Sequence, residues 1–427
     1  MRLFALLTLF VAALPASAQL KEVPGEWPAW RGPNRDAQSK ETGLLRIWPK
    51  EGPKLLWKNN NLGEGYATPS VAQDKVFVVG TDKDKNETLF ALSIKDGEVL
   101  WSTPFGKLAG GYPGPRSTPT IDGDRAYVLS SDGKLLCANV KDGSVVWKKD
   151  IKKDFNGRFG GWASTESPLV DGDRVLVTPG GDTAPIVALK KTDGSLVWKA
   201  DLSGLPEASG KKKGGNYTTA GYSSILTANL AGTKQYVQFL GGGVVGVRAS
   251  DGKLLWHYDH PANKTANIST PVIVGNDEVF AASAYSTGGG LAKIETSGDG
   301  MEAKERYFLD EFQNHHGGMI AHNGFLYGTN GGALLCLDLK SGKFAWKAPG
   351  KESVGKGSIF LADGLIFHRS ERGPIALVEA NPTKYVELGR FTQPERSDKN
   401  AWAHPVVAGG RLYIRDQGLL LCYYVKQ

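Results

Sequence analysis

Short apolar runs alternate with turn residues along almost the whole chain. Arg125-Ala-Tyr-Val-Leu129 gives way to Ser-Ser-Asp-Gly, then to Lys134-Leu-Leu-Cys-Ala-Asn-Val140, then to Asp142-Gly143. Runs of this kind, rich in Val, Leu, Ile and Tyr and bounded by Asp-Gly, Gly-Gly and Asn-Gly, predict strands joined by tight turns. No long amphipathic helical pattern follows the N-terminus. The pattern predicts an all-β chain.

The strands recur in phrases. Asp-Gly-x-x-x-Trp stands at Asp96–Trp101, Asp142–Trp147, Asp193–Trp198 and Asp251–Trp256, with a variant at Ser341–Trp346. The first four tryptophans are 46, 51 and 58 residues apart (147−101, 198−147, 256−198). A period of this size marks small units that cannot bury a core alone and must stack or close into a ring. A second landmark, a Ser/Thr-Pro pair or its equivalent, occurs at Thr68-Pro69, Thr118-Pro119, Ser167-Pro168, Ser223-Ser224, Thr270-Pro271, Gly318-Met319, Ser358-Ile359 and His404-Pro405. That makes eight units of four strands, an eight-bladed β-propeller. The eighth unit ends at Val425 without a Trp strand, while an orphan one, Lys54-Leu-Leu-Trp57-Lys58, precedes the first. Pairing the orphan with the last blade would close the ring and remove a free sheet edge. Units five and seven lack the tryptophan and end at Tyr307 and Gly389 instead.

The tryptophans, each placed after a Gly turn, are expected to cover seams between blades. One column of the repeat holds Ala91, Cys137, Ala188, Gly246, Cys336 and Cys422. It calls for a small buried residue, so the three cysteines are expected as free thiols.

Composition adds destination and little chemistry. The chain has 427 residues and a formal net charge of +7, spread thinly. Its one dense run, Lys211-Lys212-Lys213, has no interleaved aromatics and reads as a solvated loop, so no nucleic-acid partner is expected. Met1–Ala18 reads as a secretory signal peptide, with Arg2, an apolar stretch and an Ala-Ser-Ala cleavage site. The expected organisation is a signal at 1–18, an extended lead-in at 19–53 and a propeller at 54–427, exported to the periplasm or extracellular space with no transmembrane anchor.

The succession Ser-Thr-Pro, Asp-Gly-Asp-Arg-x-Tyr-Val, Leu-x-Ala-Leu and Asp-Gly-x-x-x-Trp resembles the pyrroloquinoline-quinone (PQQ)-like propeller repeat over residues 54–425. The lead-in Trp27-Pro-Ala-Trp30-Arg-Gly-Pro33, with Gly43-Leu-Leu and Trp48-Pro, is similar to that of exported, planctomycete-type PQQ-like repeat proteins. The resemblance implies eight blades and one of two functions. One is a quinoprotein alcohol or sugar dehydrogenase using PQQ and calcium. The other is a non-catalytic scaffold, like the lipoprotein of the outer-membrane barrel-assembly machinery.

Stacking the units exposes the columns that face the channel mouth. The position before the Ser/Thr-Pro pair is small in every assignable unit except at Glu166, and an unpaired carboxylate there would be costly. One residue earlier stand Tyr66, Arg116, Thr165, Ile268, His316, Lys356 and Trp402, with Gly221 or Tyr222 from unit four. A structural column would repeat one residue type, so this ring is expected to meet a ligand. Arg116 and Lys356 would meet an anion, Tyr66 or Trp402 would stack, and His316 would exchange a proton. Alternatively Arg116, Lys356 and Glu166 pair across the channel and plug it. On the dehydrogenase reading Glu166 and Asn267 are the calcium-ligand candidates. That reading lacks a second acidic residue as base and the adjacent cysteine pair of many alcohol-oxidising members. On the scaffold reading the partner is a protein or a small anion at the mouth. His316, His404 and Glu166 also have zinc-ligand chemistry. His257, His260, His322 and His368 read as surface or turn residues, and Gly241–Gly243 and Gly288–Gly290 as turns.

Overall fold

A computed structural model describes residues 20–205, 215–298, 300–348 and 353–427. The expected signal segment and Lys211-Lys212-Lys213 lie outside the described residues. Eight four-stranded antiparallel sheets succeed one another along the chain. Blade one contains Ser70–Ala72, Lys75–Thr81, Asn86–Ser93 and Val99–Lys107. Blade eight contains Val406–Ala408, Arg411–Asp416 and Leu419–Tyr424, and takes Lys54–Asn59 as its outer strand, with Trp57 opposite Cys422. The ring is therefore an eight-bladed β-propeller closed by the orphan Trp strand.

Each element of the repeated phrase has a packing role. Trp57, Trp101, Trp147, Trp198, Trp256 and Trp346 lie directly across the sheet from Cys422, Ala91, Cys137, Ala188, Gly246 and Cys336. A Cβ on Gly246 would sit 2.2 Å from the Trp256 indole nitrogen, which explains why the column is small. Where the tryptophan is missing the column relaxes: Leu291 faces Tyr307 and Leu377 faces Gly389. Most of the indoles reach the next blade, with Trp57 donating to the Ile94 carbonyl at 3.0 Å and Trp101 to that of Val140 at 3.1 Å. Tyr307 takes over at its seam by donating to Leu339 at 2.9 Å. The glycine of each Asp-Gly turn then lies flat under the ring of the preceding blade. The three cysteines are buried and free.

The Ser/Thr-Pro landmark forms an inner belt. The amides of Thr118, Ser167 and His404 donate to the hydroxyls of Ser167, Ser224 and Thr68 on the following blades at 2.9–3.0 Å.

The lead-in is part of the core, a role its sequence does not announce. Residues 27–41 thread the lower channel and bond to every blade. Trp27 and Val71 of blade one exchange two backbone bonds, and the Pro28 carbonyl accepts from Ile121 of blade two. Arg35 donates to Ser167 and Pro168 of blade three and to Ile225 of blade four. Trp30 reaches Thr270 of blade five, and Arg31 reaches Met319 of blade six. Gln38–Ser39 pairs in parallel with the inner strand Gly357–Ala362 of blade seven. Glu41 accepts from Gly409 of blade eight. The ring is thus floored from below.

Two expectations are corrected. His368 is fully buried in blade seven rather than in a surface turn, because its strand Leu365–Ser370 is covered on both faces. Gly288–Gly290 opens the long strand Gly288–Ser297 instead of turning. The Tyr258 hydroxyl lies 2.3 Å from where a Gly290 Cβ would stand, so close packing explains the missing side chain there. No helix among the described residues is long and apolar enough to cross a membrane.

Candidate functional site at the upper mouth

The first strand of every blade runs downward from the upper face. The loops that enter these strands, and the loops between second and third strands, therefore crowd around the upper mouth. They enclose a cavity of about 150 Å³, floored by Trp30 and His404. Of the expected ring, Tyr66, Arg116, Thr165, Ile268, His316 and Trp402 line it, and unit four contributes Tyr222. Tyr112, Trp162, Tyr285 and His315 complete the wall. The aromatic rings touch in chains: Trp402 stands 4.6 Å from Tyr66, 5.2 Å from Tyr112 and 5.3 Å from His316, and Trp162 stands 5.5 Å from Tyr222. Thr165 is engaged within the wall, its hydroxyl donating to the Tyr222 carbonyl at 2.8 Å.

The charged groups are sorted in a way the columns did not anticipate. Arg116, Lys356 and Glu166 do not pair with one another. Lys356 meets Glu371 at 3.2 Å, and the same carboxylate oxygen accepts from His316 Nε2 at 3.2 Å and from the Trp402 indole at 3.1 Å. Burial pushes Glu371 up. The bonds from His316 and Trp402 and the charge of Lys356 outweigh that and hold it down at about 2. Glu371 stands in the loop after the second strand of blade seven, outside the aligned columns, so residue spacing gave no sign of it.

Glu166 lies beneath the wall. Its oxygens accept from the Thr178 amide at 2.7 Å, the Thr178 hydroxyl at 2.9 Å and the Gln238 amide at 3.2 Å. Burial raises it to about 7 despite these bonds and the charge of Arg35. The carboxylate thus takes the place of Ser117 in blade two, whose hydroxyl accepts from the Leu129 amide at the end of the second strand. Asn267 is occupied, donating to Leu240 and Gly241 of the neighbouring blade-four loop at 3.0 Å and accepting from Asn263 of its own loop. Among the described residues no three His, Cys, Asp or Glu side chains form a metal-type cluster. His404 Nε2 donates to the His316 carbonyl at 2.9 Å. Burial pushes His315 and His404 down to about 3, so both are neutral at pH 7.

Arg116 is the one charged residue lining the cavity, and among the described residues it has no direct ion pair, Glu87 acting on it only through space. Its Nη1 donates to the Trp162 carbonyl at 3.2 Å, Nη2 has no partner among the described residues, and the guanidinium lies 5.8 Å from the Tyr112 ring centre. Burial lowers its pKa without neutralising it. The arrangement offers flat apolar faces, one cation and neutral imidazoles, a surface suited to holding a ligand.

Comparison with known proteins agrees with this architecture. The family profile described as "Outer membrane protein assembly factor BamB" matches residues 32–159 and 111–348, more than half of the chain. The outer membrane protein assembly factor BamB of Moranella endobia is 25% identical over 338 residues, covering 72% of this chain and 76% of that protein. The Shewanella oneidensis protein of the same name is 28% identical over 216 residues, 49% of each chain. Among solved structures, the quinohemoprotein alcohol dehydrogenase of Comamonas testosteroni superposes with a TM-score of 0.66 at 14% identity, covering 93% of this chain and 80% of that one. At that identity the likeness is one of fold.

Proposed function

We propose that this chain, which belongs to the family described as outer membrane protein assembly factor BamB, is a non-catalytic binding or scaffold propeller of the cell envelope. On this reading residues 1–18 direct export, and the upper mouth receives a protein partner or a small anionic ligand. The observation that carries the reading is the knot around Glu371. The one carboxylate that closes on His316, Lys356 and Trp402 is taken up by three donors and held at about 2, so it is ionised but a poor proton acceptor at neutral pH. Glu166, the other acidic candidate, has both oxygens engaged below the cavity wall.

The dehydrogenase alternative demands a site for PQQ and calcium, and the residues present do not suit them. A tricyclic tricarboxylate needs several free cations and room for three fused rings. The mouth provides one guanidinium without a direct ion pair among the described residues, and its inner cavity of about 150 Å³ takes roughly one aromatic ring. The oxygens of Glu166 and Asn267 are engaged in separate hydrogen-bond sets.

Two measurements test the proposal. Titration of the purified chain with PQQ and calcium is expected to leave its unfolding temperature unchanged, with no dye reduction on alcohols or sugars. A saturable shift accompanied by dye reduction would overturn it. A photo-crosslinker at position 112, on the exposed rim, is expected to capture a defined envelope component in cells. Loss of that adduct in a variant carrying Trp402→Ala would place the contact at the mouth.

A further inference from the structure

The mouth pocket has two chemically distinct poles. Arg116 lies in the loop entering blade two, and His315 and His316 lie in the loop entering blade six. Four blades apart in a ring of eight, they face each other across the axis. Arg116 brings a charge that, among the described residues, no carboxylate meets in a direct ion pair, although Glu87 acts on it through space. The neighbouring Glu87 is buried, engaged by the Ser131 amide at 2.9 Å and by the Ser131 hydroxyl, and raised by burial to about 7. The opposite pole is neutral. His315 and His316 each leave Nδ1 without a partner, and the Nε2 atoms are fixed on Tyr285 at 2.8 Å and on Glu371. A His316 whose Nε2–H donates to Glu371 keeps Nδ1 as an acceptor, buried in the cavity wall, so a ligand hydroxyl reaches it only with a small turn of the ring. Between the poles stand the Trp402–Tyr66 and Trp162–Tyr222 faces, around space for about one ring. Lys356 adds no second anion site, because Glu371 holds it.

We propose that the upper mouth is a binding site for a single-ring aromatic monocarboxylate bearing a hydroxyl opposite the carboxylate. The carboxylate meets Arg116, the ring lies between the Trp402 and Trp162 faces, and the hydroxyl donates to an imidazole Nδ1. The inference rests on the binding reading above and narrows its ligand to one class.

Calorimetric titration with four probes tests it: 4-hydroxybenzoate, benzoate, 4-hydroxybenzamide and the dianion isophthalate. The hydroxy acid is expected to bind best, with the neutral amide at least ~10-fold weaker, since it loses a charge-assisted bond in a desolvated site. Benzoate is expected several-fold weaker than the hydroxy acid. Arg116→Met should erase the preference for acid over amide. Glu371→Gln frees Lys356 and should raise affinity for isophthalate. Circular dichroism checks that the variants fold, and the wild-type acid-to-amide ratio stands independently of them. Equal binding of acid and amide by wild type would overturn the inference while leaving a binding mouth. Failure of all four probes to bind would overturn it too. The scaffold reading would then still be judged by the PQQ titration and the crosslink.

Discussion

Two glycines of blade four have the same backbone and different surroundings, which makes the seam measurable. Gly232 has φ +77° and nothing within 4 Å of where a Cβ would stand. Gly252, in the Asp-Gly turn, has φ +76°, but its Cβ would lie 2.5 Å from Trp198 Cε3 and 2.8 Å from Cζ3. Trp198 has little freedom to yield: it is buried, its nitrogen donates to Ala249 at 3.3 Å, and its ring stands 6.0 Å from Tyr236. Alanine at either site bears the left-handed penalty, about 1–2 kcal/mol. At Gly252 overpacking against the indole adds about 1–3 kcal/mol. Gly252→Ala is therefore expected to destabilise by roughly 3 kcal/mol and Gly232→Ala by roughly 1 kcal/mol. Urea unfolding followed by circular dichroism compares the two. Trp198→Leu, combined with Gly252→Ala in a double-mutant cycle, should recover about 1–2 kcal/mol of coupling, because the smaller side chain makes room for the new methyl. Equal losses at the two glycines, or additivity in the cycle, would refute the claim that the glycine is required by the ring above it.

Three further outcomes follow from the same structure. Arg35→Met removes the bonds to Ser167, Pro168 and Ile225 and leaves the Ser167 and Ile225 carbonyls unpaired, while Pro168 keeps the Thr120 hydroxyl at 2.6 Å. The expected loss is about 3–5 kcal/mol in urea unfolding, with faster proteolytic release of the lead-in. His368 is held by burial at about 4, below the usual value for a histidine. Its neutral form therefore stabilises the fold fully above pH 6.5, and this is lost progressively as pH falls toward 4. The stability gap between wild type and His368→Phe should shift by about 1.4 kcal/mol in favour of the variant between pH 7.5 and 5.5. Cys137, Cys336 and Cys422, raised by burial to about 11, 11 and 12, should resist a thiol reagent at pH 8 in the native state and all react in urea.

The fold was legible because each landmark answers to a local physical demand repeated around the ring. The small column exists because a tryptophan lies opposite it, and the same register fixes where a strand begins. Glu166 was legible as an exception and misleading as to its partners. A column says which residues share a height on the ring, not which way a side chain turns. At this height the neighbour was the Thr178 amide below rather than the cavity. Glu371, Tyr285 and Tyr112 belong to loops whose lengths differ from blade to blade, so no alignment could bring them to the mouth. Arg31 and Arg35 were hidden for another reason. An arginine in an N-terminal segment ordinarily means a solvated charge, and these two are buried because the inner ends of several blades present carbonyls that the ring itself does not satisfy.

That last point bears on how a ligand could enter the channel. A propeller axis leaves inward-facing backbone groups at its lower end, and buried groups of this kind need partners. Trp27, whose ring packs 4.7 Å from Phe360, supplies only backbone bonds to blade one, whereas the two arginines satisfy blades three, four and six from within. The floor they make is anchored to all eight blades, so opening it would break bonds around the whole ring. A second cavity of about 710 Å³, lined by Arg31, Arg35 and Asp36, lies against the floor; a ligand passing from it into the channel would have to displace that set, while one that binds from above meets exposed rims and a guanidinium with one nitrogen unpaired among the described residues. Trp30 joins the two regions: its nitrogen bonds to Thr270 and its ring, 4.6 Å from His404, forms the base of the upper cavity. The segment that closes the lower channel thereby also sets the depth of the upper one.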